Sequence, residues 1–71
     1  MSEIIQIDPE ILSGIPVFNG TRVPIKNLFD YIQGGHSIDE FLDDFPTVRK
    51  EQVSQLLQDI QDETLKTRRA A

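Results

Sequence analysis

The chain holds a single histidine, His36, and no cysteine. Zinc needs three or four nitrogen or sulfur ligands, and a lone imidazole in the turn Gly34-Gly35-His36-Ser37 cannot gather them. A nucleophilic enzyme needs a nucleophile, a base and an orienting group in one pocket, and no such constellation is legible along the sequence. The expectation is therefore a protein that is not an enzyme, with no cofactor and no metal, in which His36 is an exposed turn residue. The acidic side chains are the next chemistry on offer. Glu40, Asp43 and Asp44 fall on one face of a helix, where carboxylates can hold a hard cation, form an ordinary solvated surface, or meet a basic protein partner.

Cations and amides gather later. Arg49, Lys50, Gln52, Ser54 and Gln55 stand at the start of a third helical segment. If that segment is the last helix of a helix-turn-helix, these side chains meet base edges in the major groove. Arginine, lysine and glutamine are the right donors for guanine and adenine. The competing reading is the solvent face of an amphipathic helix. Arg22 and Lys26 flank the junction into the first helix. They either bridge to the acidic second helix, a contact of small value when exposed, or grip a phosphate or carboxylate. Leu65-Lys66-Thr67-Arg68-Arg69 forms a short basic end that solubilises or adds phosphate contacts.

The elements that must position these groups are written in the apolar spacing. Ile4, Ile5 and Ile7 predict a short strand, and Asp8-Pro9-Glu10 turns the chain. Ile11 and Leu12 are expected to pack back on the core before Ser13-Gly14. Asn19-Gly20 between Val17-Phe18 and Thr21-Arg22-Val23 predicts a hairpin with a type I′ turn. Pro24 suits a first helical position. Ile25, Leu28, Phe29 and Ile32 then mark one helical face, closed by Gly34-Gly35. Ser37 and Glu40 read as a capping box. Ile38, Phe41, Leu42 and Phe45 form a second stripe, stopped by Pro46. Val48 and Val53 are spaced as a hydrophobic staple, and Val53, Leu56, Leu57 and Ile60 form the third stripe. The fold class expected is mainly α: a homeodomain-like three-helix, helix-turn-helix core with a short N-terminal β element. The core spans about residues 4–60, and residues 61–71 form a polar tail expected to fray or to order on a partner. Leu28, Phe41 and Leu56 should meet in one interior.

A chain of 71 residues is one domain and buries only about 60% of its unfolded surface. A partner or a second copy would add stability, so a homodimer is expected. Net charge is −5, which opposes unassisted binding to nucleic acid. The distribution is uneven, with Asp39, Glu40, Asp43 and Asp44 in a stretch that holds no base and a mildly basic C-terminal end. No apolar run is long enough to span a membrane, and the first residues lack a signal-peptide pattern. The cysteine-free composition fits a cytoplasmic location.

The ordered set Ile7-Asp8-Pro9-Glu10-Ile11-Leu12, Gly14-Ile15-Pro16-Val17-Phe18-Asn19 and Gly20-Thr21-Arg22-Val23-Pro24-Ile25 resembles a bacterial family known as domain of unknown function 433. Its motif residues here are Gly14, Pro16, Gly20, Thr21, Arg22 and Pro24, with Gly34, Glu40 and Pro46 in their expected places. The resemblance runs from about Ile4 to Leu57. It implies a homeodomain-like fold and an antitoxin that binds a nuclease toxin of the PIN type. It further implies binding to DNA to repress its own operon; a stand-alone helix-turn-helix regulator is the alternative. Partner contacts are then expected at Arg22, Glu40, Asp43 and Asp44, and DNA contacts at Arg49, Lys50, Gln52, Ser54 and Gln55. Two positions depart from the family pattern. Arg49 stands where serine or threonine usually opens the third helix, which should weaken that start unless Thr47 substitutes. Ile15 stands where lysine often precedes Pro16.

Overall fold

The computed structural model describes residues 4–70, with side chains through residue 66. Two short strands, β1 (Ile5–Gln6) and β2 (Val17–Phe18), precede three helices: α1 (Ile25–Gln33), α2 (Ile38–Asp44) and α3 (Lys50–Ala70). The architecture is mainly α with a small antiparallel β element, as the spacing predicts.

The β element differs from the expected hairpin. β2 pairs back to β1, with Ile5 opposite Phe18 and Gln6 opposite Val17, and meets the following chain through the single bridge Val17–Pro24. The turn between them is not type I′. That turn needs positive φ at both central residues, whereas Gly20 has φ 80° and Asn19 is not positive. This is type II geometry, which splays its two arms and explains why only one bridge and the Phe18 N–H to Val23 O bond (3.0 Å) follow it. The loop between the strands also departs from expectation. Leu12, Ser13 and Gly14 have φ of 50°, 59° and 88°. This left-handed turn is closed by Gly14 N–H on Ile11 O, and it carries Leu12 to the surface, 42% exposed, instead of into the core.

The helix boundaries follow local chemistry. Pro24 is the N-cap of α1, so the helix begins at Ile25, one residue later than expected. At the other end Gly35 N–H bonds Ile32 O (3.1 Å) and His36 N–H bonds Tyr31 O (2.9 Å), a Schellman pair with Gly35 in the left-handed region, φ 85°. Ser37 caps α2 in full: Glu40 N–H donates to Ser37 Oγ (3.0 Å), and Ser37 N–H donates to Glu40 Oε1 (2.9 Å). α3 continues as helix to Ala70, through the polar segment expected to fray or to order on a partner. Gln55 donates to Asp59 (2.9 Å) and Gln58 to Asp62 (3.0 Å), i,i+4 bonds that support the outer turns.

Leu28, Phe41 and Leu56 do meet. They share one buried cluster with Ile4, Phe18, Val48 and Val53. Phe41 lies at its centre, with its ring centroid 6.0 Å from Phe18, 5.4 Å from Tyr31 and 4.9 Å from Phe45. The staple pair Val48 and Val53 is buried as spaced. The face of α1 is rotated from the expected one: Tyr31 packs against the cluster, while Ile32 is 41% exposed.

Candidate functional site

The motif turn is the most heavily fixed surface feature. Thr21, the one buried polar residue among those described, donates its hydroxyl to Phe18 O (2.8 Å) and accepts from Val23 N–H (3.0 Å). Gly20 N–H bonds Gln6 Oε1 (3.2 Å), tying the turn to β1. On its other side Gln52 of α3 donates to Asn19 O (3.0 Å). The same Gln52 side chain accepts from Arg49 N–H (2.9 Å), which is the N3 half of a capping box. Gln52 rather than Thr47 thus compensates for the arginine at the helix start. The signal was present in the sequence as a glutamine at N3.

The five residues expected to read DNA do not form one surface. Lys50, Ser54 and Gln55 line a shallow groove of about 550 Å³ on the outer face of α3, together with Glu51 and Gln58. Arg49 and Gln52 stand on the other side of the helix start, in the wall of a cavity of about 460 Å³ shared with Asn19, Gly20 and Thr47. Gln52 is engaged at both ends of its amide within the chain, and Gln55 donates to Asp59.

The four expected partner contacts also divide. Glu40 is committed to the capping box and to His36, whose Nδ1 is 3.3 Å from Oε2. Its carboxyl is held below the ordinary 4.5, first by the Ser37 backbone N–H and then by the His36 hydrogen bond. Asp44 accepts the Tyr31 phenol at 2.6 Å. That bond raises the phenol above its ordinary 10.0, followed by lost hydration and the negative charges of Asp44 and Glu40. Asp43 is exposed. Arg22 lies apart from all three, in a second cavity of about 550 Å³ with Gln6, Gly20 and Thr47. The salt bridge expected between the junction cations and α2 is not formed. Lys26 pairs within its own helix with Asp30 (2.9 Å), because an i,i+4 neighbour is closer than another element. Arg22 has no ion pair among the described residues.

An apolar groove lies behind the motif prolines. It holds about 710 Å³ between Ile15, Pro16, Pro24, Ile25 and Phe29, with Ile5, Lys26 and Asn27 also in its wall. Its origin is the width of the α1 stripe. Tyr31 turns α1 so that Leu28 is fully buried against α2, and the rest of the stripe, Ile25 and Phe29, is only half-buried. Ile15 lines the groove and is 43% exposed. Pro16 holds the groove to α1 by accepting Ile25 N–H at 3.0 Å. Gly14, with φ 88°, completes the left-handed turn that delivers Ile15 to this position. Among the described residues, no set of three or more His, Asp or Glu side chains is placed to hold a metal ion, and no helix is long and apolar enough to cross a membrane.

Comparison with known proteins agrees with the motif. The model of a family described as "Protein of unknown function (DUF433)" matches residues 5–58. The Uncharacterized protein y4eO of Sinorhizobium fredii (strain NBRC 101917 / NGR234) is 37% identical over 51 residues, which are 72% of this chain and 23% of that protein. The chain thus spans less than a quarter of that relative's length. No solved structure matches.

Proposed function

This chain belongs to the family described as "Protein of unknown function (DUF433)", and from that membership we propose that it is an antitoxin-like binding domain. In this reading it is not an enzyme: it neutralises a PIN-type nuclease and, as a cytoplasmic homodimer, represses its own operon through α3. The observation that carries the protein-binding half is the apolar groove of about 710 Å³ walled by Ile15, Pro16, Pro24, Ile25 and Phe29. A domain with so small a core gains by covering such a surface, and apolar pockets of this kind receive the anchor side chains of a partner. The acidic face of α2, with Asp39 and Asp43 exposed, complements the basic RNA-binding cleft of a nuclease.

The DNA-binding half is supported by the polar groove on α3 with Lys50, Ser54 and Gln55, side chains suited to base edges. A stand-alone regulator would use this face alone. The test is co-expression with the product of the adjacent reading frame. The two proteins are expected to co-elute, and the chain should suppress the partner's RNA cleavage stoichiometrically. Ile15→Asp, at a position 43% exposed, should keep its circular dichroism and lose the suppression. Two folded proteins that neither co-elute nor alter cleavage would end the antitoxin reading; specific duplex binding in that case identifies the regulator.

A further inference from the structure

Arg22 and Arg49 are far apart in sequence, yet both line cavities that meet at Gly20 and Thr47. Neither guanidinium has an ion pair among the described residues. That is notable in a chain with 12 acidic side chains and a net charge of −5. No Asp or Glu stands in the wall of either cavity. The cleft is therefore a locally cationic surface on an acidic protein. Its floor is fixed before any ligand arrives: Gly20 N–H is held by Gln6, Thr21 by Phe18 and Val23, and Asn19 by Gln52. Two forked guanidiniums in adjoining cavities, with Thr47 in the wall of both, suit a tetrahedral oxyanion better than a single carboxylate. Arg49 is followed directly by Lys50, which opens the polar groove on the outer face of α3. The cleft lies on the other side of the helix start from that groove, so a group bound in it flanks the helix whose outer face is offered to base edges, and backbone contacts there set the register of a DNA reader.

We propose that Arg22 and Arg49 together clamp one backbone phosphate of duplex DNA. This rests on the DNA-binding half of the function proposed above. It assigns the motif arginine a role in positioning the protein on DNA, and it removes Arg49 from the set that reads base edges.

The test is fluorescence anisotropy with the full chain and a labelled duplex taken from upstream of its own coding sequence, measured over a salt series. Nuclease neutralisation is measured on the same preparations. Arg22→Ala and Arg49→Ala are each expected to weaken duplex binding about tenfold and to reduce the slope of log K against log salt by about one. Because one phosphate is shared, the double variant should also lose about one, where separate contacts would lose about two. Arg22→Lys should keep most of the slope, and Lys26→Ala, whose charge is paired with Asp30, should bind within twofold of the parent. The clamp is overturned if Arg22→Ala, with unchanged circular dichroism, binds as the parent does, if the double variant loses two, or if no duplex binding occurs at low salt. Intact neutralisation alongside any of those results leaves the antitoxin reading standing. If neutralisation fails while the expected slopes appear, the clamp stands without it. Arginine variants that spare DNA binding but abolish neutralisation would place a protein carboxylate in the cleft, against the proposal.

Discussion

The side-chain amide of Gln52 bonds the backbone of Arg49 and Asn19 at once, accepting from the first at 2.9 Å and donating to the second at 3.0 Å. One residue thereby sets where α3 begins and fastens that start to the Gly20-Thr21-Arg22 turn. This fastening ties the position of Arg49 to that of the turn carrying Arg22.

Gln52→Ala should lower stability by about 1 kcal/mol, the usual value of a helix-start hydrogen bond, read as a lower urea midpoint with an unchanged m-value. Gln52→Glu should recover the helix-start part, because a carboxylate still accepts from Arg49 N–H, but not the bond to Asn19 O. A variant as stable as the parent would show that the turn holds itself.

Phe41 sits between rings of Phe18, Tyr31 and Phe45 and is fully buried. Phe41→Ala should cost about 3–5 kcal/mol, comparable with the whole stability of a domain this small. The expected result is an unfolded chain, seen as collapsed amide chemical-shift dispersion. Phe41→Leu, which keeps most of the volume, should fold with a lower midpoint.

The capping box makes α2 sensitive to acid. Glu40 is held below its ordinary 4.5 by bonds that exist only in the fold. Its contribution is therefore present above the unfolded value and lost as pH falls through the lower folded value. Stability should fall below about pH 4.5, and Glu40→Gln should flatten that part of the curve, because the amide oxygen still accepts from Ser37 N–H. Ser37→Ala should cost about 1 kcal/mol at neutral pH. Urea midpoints across pH test both.

Tyr31 is the only tyrosine, so its phenolate absorbance reports on one site. Its folded value lies above 10.0 chiefly through the bond to Asp44. The stability that this bond provides is complete below the unfolded value and lost as pH rises through the folded one. Asp44→Asn should shift the absorbance titration down toward the ordinary value while leaving the α1–α2 packing in place. A titration unmoved by that change would mean that the hydrogen bond is not what holds the phenol.

Three apolar stripes, the Ser37–Glu40 box and the Gly34-Gly35 stop were legible because each is a local pattern within one or two helical turns. The misreadings have longer reach. β2 chose β1 over its sequence neighbour, a pairing across the left-handed loop that no local signal records. Tyr31 displaced Ile32 from the interior because a phenol can bury its ring and still reach Asp44 with its hydroxyl, which a hydropathy stripe does not register. The cleft between Arg22 and Arg49 was invisible for the same reason: the two arginines line adjoining cavities joined by a tertiary contact, the Gln52–Asn19 bond.

The outer turns of α3 supply the last prediction. Residues 61–66 are exposed, Leu65 at 46%, and none belongs to the buried cluster. Isolated helical turns of this length are marginal in water, so their helicity derives from continuity with the packed turns around Val53 and Leu56. Deleting residues 64–71, which spares the Gln58–Asp62 bond, should therefore reduce the helical circular dichroism and change stability by less than about 0.5 kcal/mol. The basic side chains Lys66, Arg68 and Arg69 leave with the segment, so the same truncation separates the two cationic regions of the chain. If duplex binding keeps its salt slope after the deletion, the phosphate contacts lie at the start of α3 and the motif turn. If the slope falls by two or more, they lie at its end.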